Sequence, residues 1–539
     1  VFLQKFQNVI SNREIVLKEF MQSDILIIGT GLAGCTSALI LADQGLNVIL
    51  VTKSFDIEET NTREAQGGII FQGQADPSLL EKDIFKAGSM INNKKAVKIL
   101  ASEGPQSIKK LLIDKLQINF TKDKKGELHL TREAGHSTRR IIHVNDQTGL
   151  AIEKAFVKKL RTYPNIKVFP NHTLIDLLTL PYHLKNSLSY DDKTCCVGAY
   201  VLDNEKKKVE IFLAKKIILA TGGVGQLYLR TCNPKIARGD GLVAAYRAGA
   251  KLENIEYIQF HPTSLYHHQV SNFLITEALR GEGAQLKNQQ GQQFMKKYHS
   301  RGSLAPRDIV SRAIFEEMLK TGEQYVLLDA ASYIKADRLK KMFPHIYKTC
   351  LKYGIDIIRE PIPVAPTAHY FCGGVKVDTF GRTNIDNLYA IGEVSATGVH
   401  GANRLASTSL LECLVWGKRA AENILKTINK EKIINRQLIK PWNYTHTINK
   451  IDDALIQQDW FLIKSIMWNY VGIIRTEKRL KRAVDDLTHL DKEIDFFYRD
   501  VLVCDDLIGL RNGVKAALLI AKAALKNKTS LGCHYLKSP

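Results

Sequence analysis

The stretch from Ser23 to Val51 constrains this chain more than any other. An apolar run, Ser23 to Ile28, feeds the turn Gly29-Thr30-Gly31-Leu32-Ala33-Gly34; helix-favouring residues continue to Leu46, and a second apolar run, Asn47 to Val51, follows. Strand, glycine turn, helix and strand in that order predict a unit that binds a dinucleotide. Gly29 permits the tight turn, Gly31 lets backbone approach a pyrophosphate, and Gly34 lets helix and strand pack closely. The N–H groups where Leu32 and Ala33 open the helix then hold the phosphates. A lone glycine turn also arises by chance, and the second strand at the right distance is what favours the nucleotide.

That second strand ends in Val51-Thr52-Lys53-Ser54, where an NAD-binding unit commonly places an acid for a ribose. The departure weakens NAD and favours FAD, because two further segments have the character of a flavin domain. Lys216 to Gly223 is an apolar strand ending in small residues, suited to close approach of a ligand. Asn387 to Glu393 is another strand, ending in Gly392-Glu393, which puts a carboxylate where it can hold a ribityl or ribose hydroxyl. Three strand ends, distant in sequence, are expected to meet on one cofactor.

At 539 residues the chain is long enough for two or three domains, and 45% hydrophobic with 24% charged residues is ordinary globular composition. Its apolar runs fall short of the roughly 18 to 20 residues a membrane span needs. Nine cysteines, with no CxxC spacing, argue against a disulfide framework, a zinc site or an iron–sulfur ligand set, so no metal is expected and a reducing compartment fits. The net charge of +21 is spread over scattered lysines, among them Lys124 and Lys125 and Lys206 to Lys208. This reads as a solvated basic surface, without a nucleic-acid motif. Residues 1 to 22 lack a long apolar centre and read as an ordinary extension or the remnant of a transit peptide.

Longer motifs carry a resemblance. Thr62 to Gly68 (TREAQGG), Leu130 to Gly149 (LTREAGHSTRRIIHVNDQTG), Gly239 to Gly249 (GDGLVAAYRAG), Gln259 to Ser264 (QFHPTS), Phe273 to Gly283 (FLITEALRGEG), Leu304 to Asp308 (LAPRD), Ala368 to Gly374 (AHYFCGG) and Gly401 to Glu412 (GANRLASTSLLE) run in this order along the chain. Together they resemble the succinate dehydrogenase/fumarate reductase flavoprotein superfamily and, within it, the L-aspartate oxidase family. The resemblance implies an α/β plus α fold: a Rossmann-like FAD-binding domain (residues 23–254 and 368–430), interrupted by an α+β capping domain (255–367) and followed by a C-terminal helical bundle (431–539). Residues around Tyr182 to Asp203 are expected to add a hairpin to the flavin domain. The ending SLGCHY departs from the family's usual Arg after Ser, having Leu531.

The resemblance also implies the site. Respiratory members attach FAD to a histidine immediately before the Thr of the TxxAQGG segment; Asn61 stands there and cannot make that bond, so FAD is expected to be non-covalent. Its expected contacts are Gly29, Thr30, Gly31, Leu32, Ala33, Gly34, Lys53, Asn61, Thr62, Ala65, Gln66, Gly67, Gly68, Asp240, Glu393, Ser409 and Leu410. Two substrate carboxylates call for cationic forks, which arginine supplies in bidentate fashion. By resemblance Arg307 is the catalytic proton-transfer residue, although an arginine is an odd base. Arg404, His261, His369 and Thr276 bind substrate. Glu133 offers a partner for an ammonium group, which succinate does not carry; the competing reading is a surface salt bridge with Arg132, Arg139 or Arg140. For Thr276 the competing reading is a helix N-cap, and the substrate role is the favoured one. His136, His143 and Asp146 are left to packing or loop capping.

The activity implied is oxidation of L-aspartate to iminoaspartate, with oxygen or fumarate as acceptor, at the first step of NAD biosynthesis; a soluble fumarate reductase or succinate dehydrogenase type enzyme is the alternative. Hand-off of product to quinolinate synthase, a monomer or weak oligomer, and a cytoplasmic or plastid location complete these expectations.

Overall fold

In the computed structural model of the protein the described residues are 20–71, 76–185, 194–270, 273–443 and 452–537. Most of the expected N-terminal extension lies outside them. Its last residues do not: the first strand begins at Phe20, because Phe20 to Leu26 pair in parallel with Ile211 to Ile217 of the long strand Lys208–Leu219.

The central sheet is built on that pairing. Its order runs Ile166–Phe169, Val48–Val51, Phe20–Ile28, Lys208–Leu219, Cys195–Asp203, His172–Leu180, with Leu388–Ala390 also pairing with Lys208–Leu219. The strands nearest the glycine turn are parallel and buried on both faces, which explains their unbroken Ile, Leu and Val content. His172–Leu180 and Cys195–Asp203 pair antiparallel; the second strand falls in the segment Tyr182 to Asp203 expected to add a hairpin, of which residues 186–193 lie outside the described ones.

Register brings the cofactor strands together. Ile28 pairs with both Val51 and Leu219, and Leu219 pairs with Ala390, so three segments hundreds of residues apart end at one level. The helix Leu32–Asp43 starts at that edge. It packs against Ser409–Thr427, a contact fastened by the Ser37 hydroxyl donating to the Gly417 carbonyl at 2.8 Å.

A second sheet has the antiparallel order Ile258–Leu265, Ile362–Phe371, Val326–Asp329, Gln285–Lys287. It shares an apolar core with the helix Arg307–Thr321, centred on Val310, Ile314, Leu328 and Val364. The strand Ile362–Phe371 runs past residue 367 and carries His369 back from this sheet to the cofactor domain. Asp146 fastens the segment before Thr148–Leu160 to the helix Pro344–Lys352: its Oδ2 accepts the N–H groups of His345 (2.9 Å) and Ile346 (3.0 Å) at the start of that helix.

Three helices, Asp453–Tyr470, Glu477–Asp500 and Asp505–Lys526, bury Ile463, Met467, Leu487 and Val514 in the core that also lines the central sheet. Arg475 pins this bundle. Wholly buried, it donates to the carbonyls of Gly472 and Glu256 and to His534. The tail returns to the site, where the Cys533 N–H donates to the Ala402 carbonyl at 2.9 Å. No helix among the described residues is long and apolar enough to cross a membrane.

Candidate functional site

A cleft enclosing roughly 1360 Å³, mouth included, runs along the strand ends. Of the expected cofactor contacts it is lined by Gly29, Thr30, Gly31, Leu32, Ala33, Lys53, Asn61, Thr62, Ala65, Gln66, Asp240, Glu393, Ser409 and Leu410. Gly34, Gly67 and Gly68 lie behind the lining. A Cβ on Gly34 would stand 2.2 Å from the Gly29 carbonyl oxygen, one on Gly68 2.3 Å from that of Ile142, and one on Gly67 2.8 Å from Glu133 Oε1. Their part is to let backbone and side chains close up beneath the cleft.

The residues present fit FAD. Gly31 offers no side-chain cap to the helix that follows it, and although the Leu32 N–H donates to the Thr62 hydroxyl at 3.0 Å, the rest of the helix's positive end is left for a phosphate. Gly29, at φ 114°, passes so close to Ala220 that a Cβ would lie 2.1 Å from its oxygen. Buried polar atoms without a hydrogen-bond partner, Asn61 Oδ1, Gln66 Oε1 and Thr221 Oγ1, belong to residues that line the cleft. Lys53 forms an ion pair with Asp240, which Arg238 and Asn512 also hold. The acid missing from the end of the second strand is thus brought there by another helix. Glu393 accepts from Asn61 Nδ2 (2.6 Å) and the Phe371 N–H (3.0 Å), and burial pushes its carboxyl up to about 7.

Next to this cleft the structure gathers the expected substrate residues. Arg404 and His369 line it. Arg404 Nη2 donates to His369 Nε2 at 2.8 Å, Nη1 donates to the Ser409 hydroxyl at 3.0 Å, and the guanidinium lies 4.4 Å from the centre of the Tyr370 ring. The His261 ring packs edge-on to His369 at 5.2 Å. Its Nδ1 accepts the Thr263 N–H, so the proton of the neutral ring stands on Nε2, a buried donor without a partner. Burial first, then Arg307 and His369, hold this histidine well below its usual range.

Arg307 is ion-paired through Nε to Glu277 and lies 3.4 Å from Gln259 Oε1. Burial alone would lower its pKa, yet Glu277 and Glu133 together raise it, so the group keeps its proton. Glu133 is 7% exposed and accepts from the Ser407 hydroxyl at 2.8 Å, in place of a surface pair with Arg132, Arg139 or Arg140. Burial raises its pKa, and Arg307 opposes the shift. Thr276 caps the short helix Glu277–Gly281, accepting the Ala278 N–H at 3.5 Å; its hydroxyl proton is not used by that bond.

Sequence reasoning missed Glu277, Arg280 and Gln259. Glu277 accepts the Ala134 N–H at 3.0 Å and lies 3.7 Å from the wholly buried Arg280, so it ties the Glu133 segment to two arginines. Gln259 Nε2 donates to Asn403 Oδ1 and the Arg404 carbonyl, which fixes the GANR loop against Arg307. The only hint lay in the quoted motifs, where Glu277 follows Thr276 directly and precedes Arg280 by one helical turn. One further cluster, His172, Asp203 and Glu210, has the donor types of a metal site, but Lys206 supplies the positive charge there.

Comparison with known proteins agrees with this architecture. The FAD binding domain family matches residues 24–410, and the fumarate reductase flavoprotein C-terminal family matches 462–537. An L-aspartate oxidase of Yersinia pestis is 44% identical over 517 residues, covering 95% of each chain. A chloroplastic L-aspartate oxidase of Oryza sativa subsp. japonica is 38% identical over 536 residues, covering 95% of this chain and 81% of the relative. Among solved structures, the FrdA chain of E. coli quinol fumarate reductase superposes with TM-score 0.85 at 26% identity, covering 96% of this chain and 92% of that one. A cofactor cleft built for FAD, Arg404 and His369 in its lining and relatives matching along nearly the whole chain place this protein in the L-aspartate oxidase family of the succinate dehydrogenase/fumarate reductase flavoproteins.

Proposed function

We infer that the chain oxidises L-aspartate to iminoaspartate, the first step of NAD biosynthesis from aspartate. The observation that carries this reading is a buried carboxylate, Glu133, within electrostatic reach of Arg307 and Arg404, the two arginines that also act on the neutral His261 and His369. FAD, held without a covalent bond, supplies the hydride acceptor.

The cationic groups bind the two carboxylates of the substrate. Arg404 and His369 take one, while Arg307, the Nε2–H of His261 and the Thr276 hydroxyl take the other. Glu133 holds the ammonium group. It can take one ammonium proton as the Cα–N bond gains double-bond character, a direction its burial favours. Fixing three substrate groups at once leaves Cα one orientation, and positioning of this kind supplies much of a rate enhancement. At rest and during L-aspartate oxidation Arg307 is charged between its glutamates and so stabilises carboxylate charge. When fumarate is the acceptor, Arg307 donates a proton and regains it through Glu277, the carboxylate it is paired with.

Oxygen, giving hydrogen peroxide, and fumarate are both proposed acceptors, and hand-off of the unstable imine to quinolinate synthase is the proposed onward route. The relatives' names suit either a bacterial cytoplasm or a plastid. Anaerobic mixing of the flavin-loaded protein with L-aspartate or succinate tests the reading. L-Aspartate is expected to bleach the flavin; bleaching by succinate alone overturns the assignment in favour of a succinate or fumarate enzyme.

A further inference from the structure

Cys232 lines the cleft beside His369, on a segment held by the bridge between Thr231 and Ala368. Its Sγ lies 3.1 Å from His369 Nδ1 and 3.6 Å from the Ala368 carbonyl oxygen. The other ring nitrogen, Nε2, faces Arg404 Nη2 at 2.8 Å. A guanidinium has donors only, so Nε2 carries its lone pair there. Burial, then Arg404 and Arg307, keep the ring neutral by holding its pKa well below the usual value. The single proton therefore stands on Nδ1 and is donated to the sulfur of Cys232.

That arrangement suits an arginine and not an anion. A carboxylate only accepts, and a lone pair on Nε2 would repel it. When a substrate carboxylate engages Arg404 and reaches His369, the proton must stand on Nε2, and Nδ1 then needs a donor of its own. The thiol can be that donor, because a thiol both accepts and donates. Burial raises the Cys232 pKa to about 12, so the sulfur keeps its hydrogen. Turning S–H from the Ala368 carbonyl to Nδ1 completes the second arrangement. Water entering the cleft gives one proton to Nε2 and, left as hydroxide, takes back the one from Nδ1, so ring, thiol and water all end with the protons they began with.

We propose that Cys232 is a positioning residue for substrate binding: its thiol serves His369 as acceptor in one tautomer and as donor in the other, and so lets the histidine turn from Arg404 to a substrate carboxylate. The inference rests on the reading of His369 as a carboxylate ligand. A residue that merely fills space would be replaced equally well by any small side chain.

The test uses the flavin-loaded enzyme and malonate, a dicarboxylate with no adjacent carbon pair to oxidise, with binding read from the flavin spectrum. Cys232→Ala, which leaves the Nδ1 acceptor buried without a donor, is expected to weaken malonate binding and raise the L-aspartate dissociation constant by about 5- to 50-fold. The limiting rate of anaerobic flavin reduction should change by less than about threefold, since the reacting atoms are untouched. Cys232→Ser, which keeps a hydroxyl that donates and accepts, should restore binding to within about threefold. In a His369→Gln background Cys232→Ala should add nothing. The imidazole ¹⁵N signals that vanish in His369→Gln should pass from an Nδ1-protonated to an Nε2-protonated pattern on adding malonate. Equal weakening by Cys232→Ala and Cys232→Ser, no weakening by either, or imidazole signals unmoved by malonate would overturn the proposal. If His369→Gln itself leaves malonate binding unchanged, the carboxylate reading of His369 fails with it; if that variant weakens binding and Cys232→Ala does not, only the role of the thiol fails.

Discussion

Single side chains decide the chemistry through what surrounds them. In the proposed reading Glu133 separates an amino acid from a plain dicarboxylate, and Glu133→Gln keeps its shape while removing its charge. We expect the variant to lose about 10- to 100-fold in kcat/KM for L-aspartate, the size of a buried charge-assisted hydrogen bond, and less than about threefold in fumarate reduction. Steady-state kinetics with both substrates checks this, and equal losses would remove the assigned role. Glu153 makes a second prediction. Nearly inaccessible beneath the glycine turn, its carboxyl is pushed from 4.5 up to about 8 by burial, against the opposing pull of the Thr60 and Thr62 hydroxyls. The unfolded chain releases this proton near 4.5 and the folded chain keeps it to about 8. Folded stability is therefore greatest below the lower value and falls as pH rises between the two, by at most about 1.4 kcal/mol per pH unit from this group. Urea unfolding at several pH values across that window should show a shallower fall for Glu153→Gln than for the parent. Some slope will persist, because Glu393 is shifted in the same direction.

At the scale of elements, the unit Phe20–Val51 works because its glycines let backbones touch. Gly34 faces the Gly29 carbonyl, and neither atom set can move without shifting the helix Leu32–Asp43 off its strand. Gly34→Val should destabilise the protein by about 3 kcal/mol or more and leave it unable to retain flavin; thermal unfolding and the flavin content after desalting measure the two effects. This unit was legible in sequence because local order dictates it: unbroken apolar runs for the buried strands, a helix-favouring stretch between them, and glycine where no Cβ fits. The short helix Glu277–Gly281 was not. Its five residues carry little periodic signal, and what makes it matter is the ion pair between Glu277 and Arg307, thirty residues downstream. The first strand also starts earlier than the sequence suggests, since its extra residues are ordered by a neighbouring strand and not by their own pattern.

For the molecule as a whole, the absence of a nucleophile at position 61 has a simple consequence. Asn61 spends its amide on Glu393 and has no group with which to bond a flavin carbon. Acid precipitation of the loaded protein should release the flavin into the supernatant, and colour retained in the pellet would contradict the argument. What the sequence determined alone was the set of parts: the dinucleotide unit, the arginines and histidines in their motifs, the helical bundle, and the family they resemble. Each of these is encoded within a few dozen residues, where covalent connection fixes geometry. Only the tertiary structure decided that Glu133 is buried against Ser407 and not paired on the surface, that Asp240 supplies an acid to the strand end that lacks one, and that His369 stands between Arg404 and the Cys232 thiol. His369 and Arg404 are 35 residues apart and the other pairs more than a hundred, beyond the reach of local pattern, and their protonation follows from burial and neighbouring charge, neither of which exists until the chain has folded.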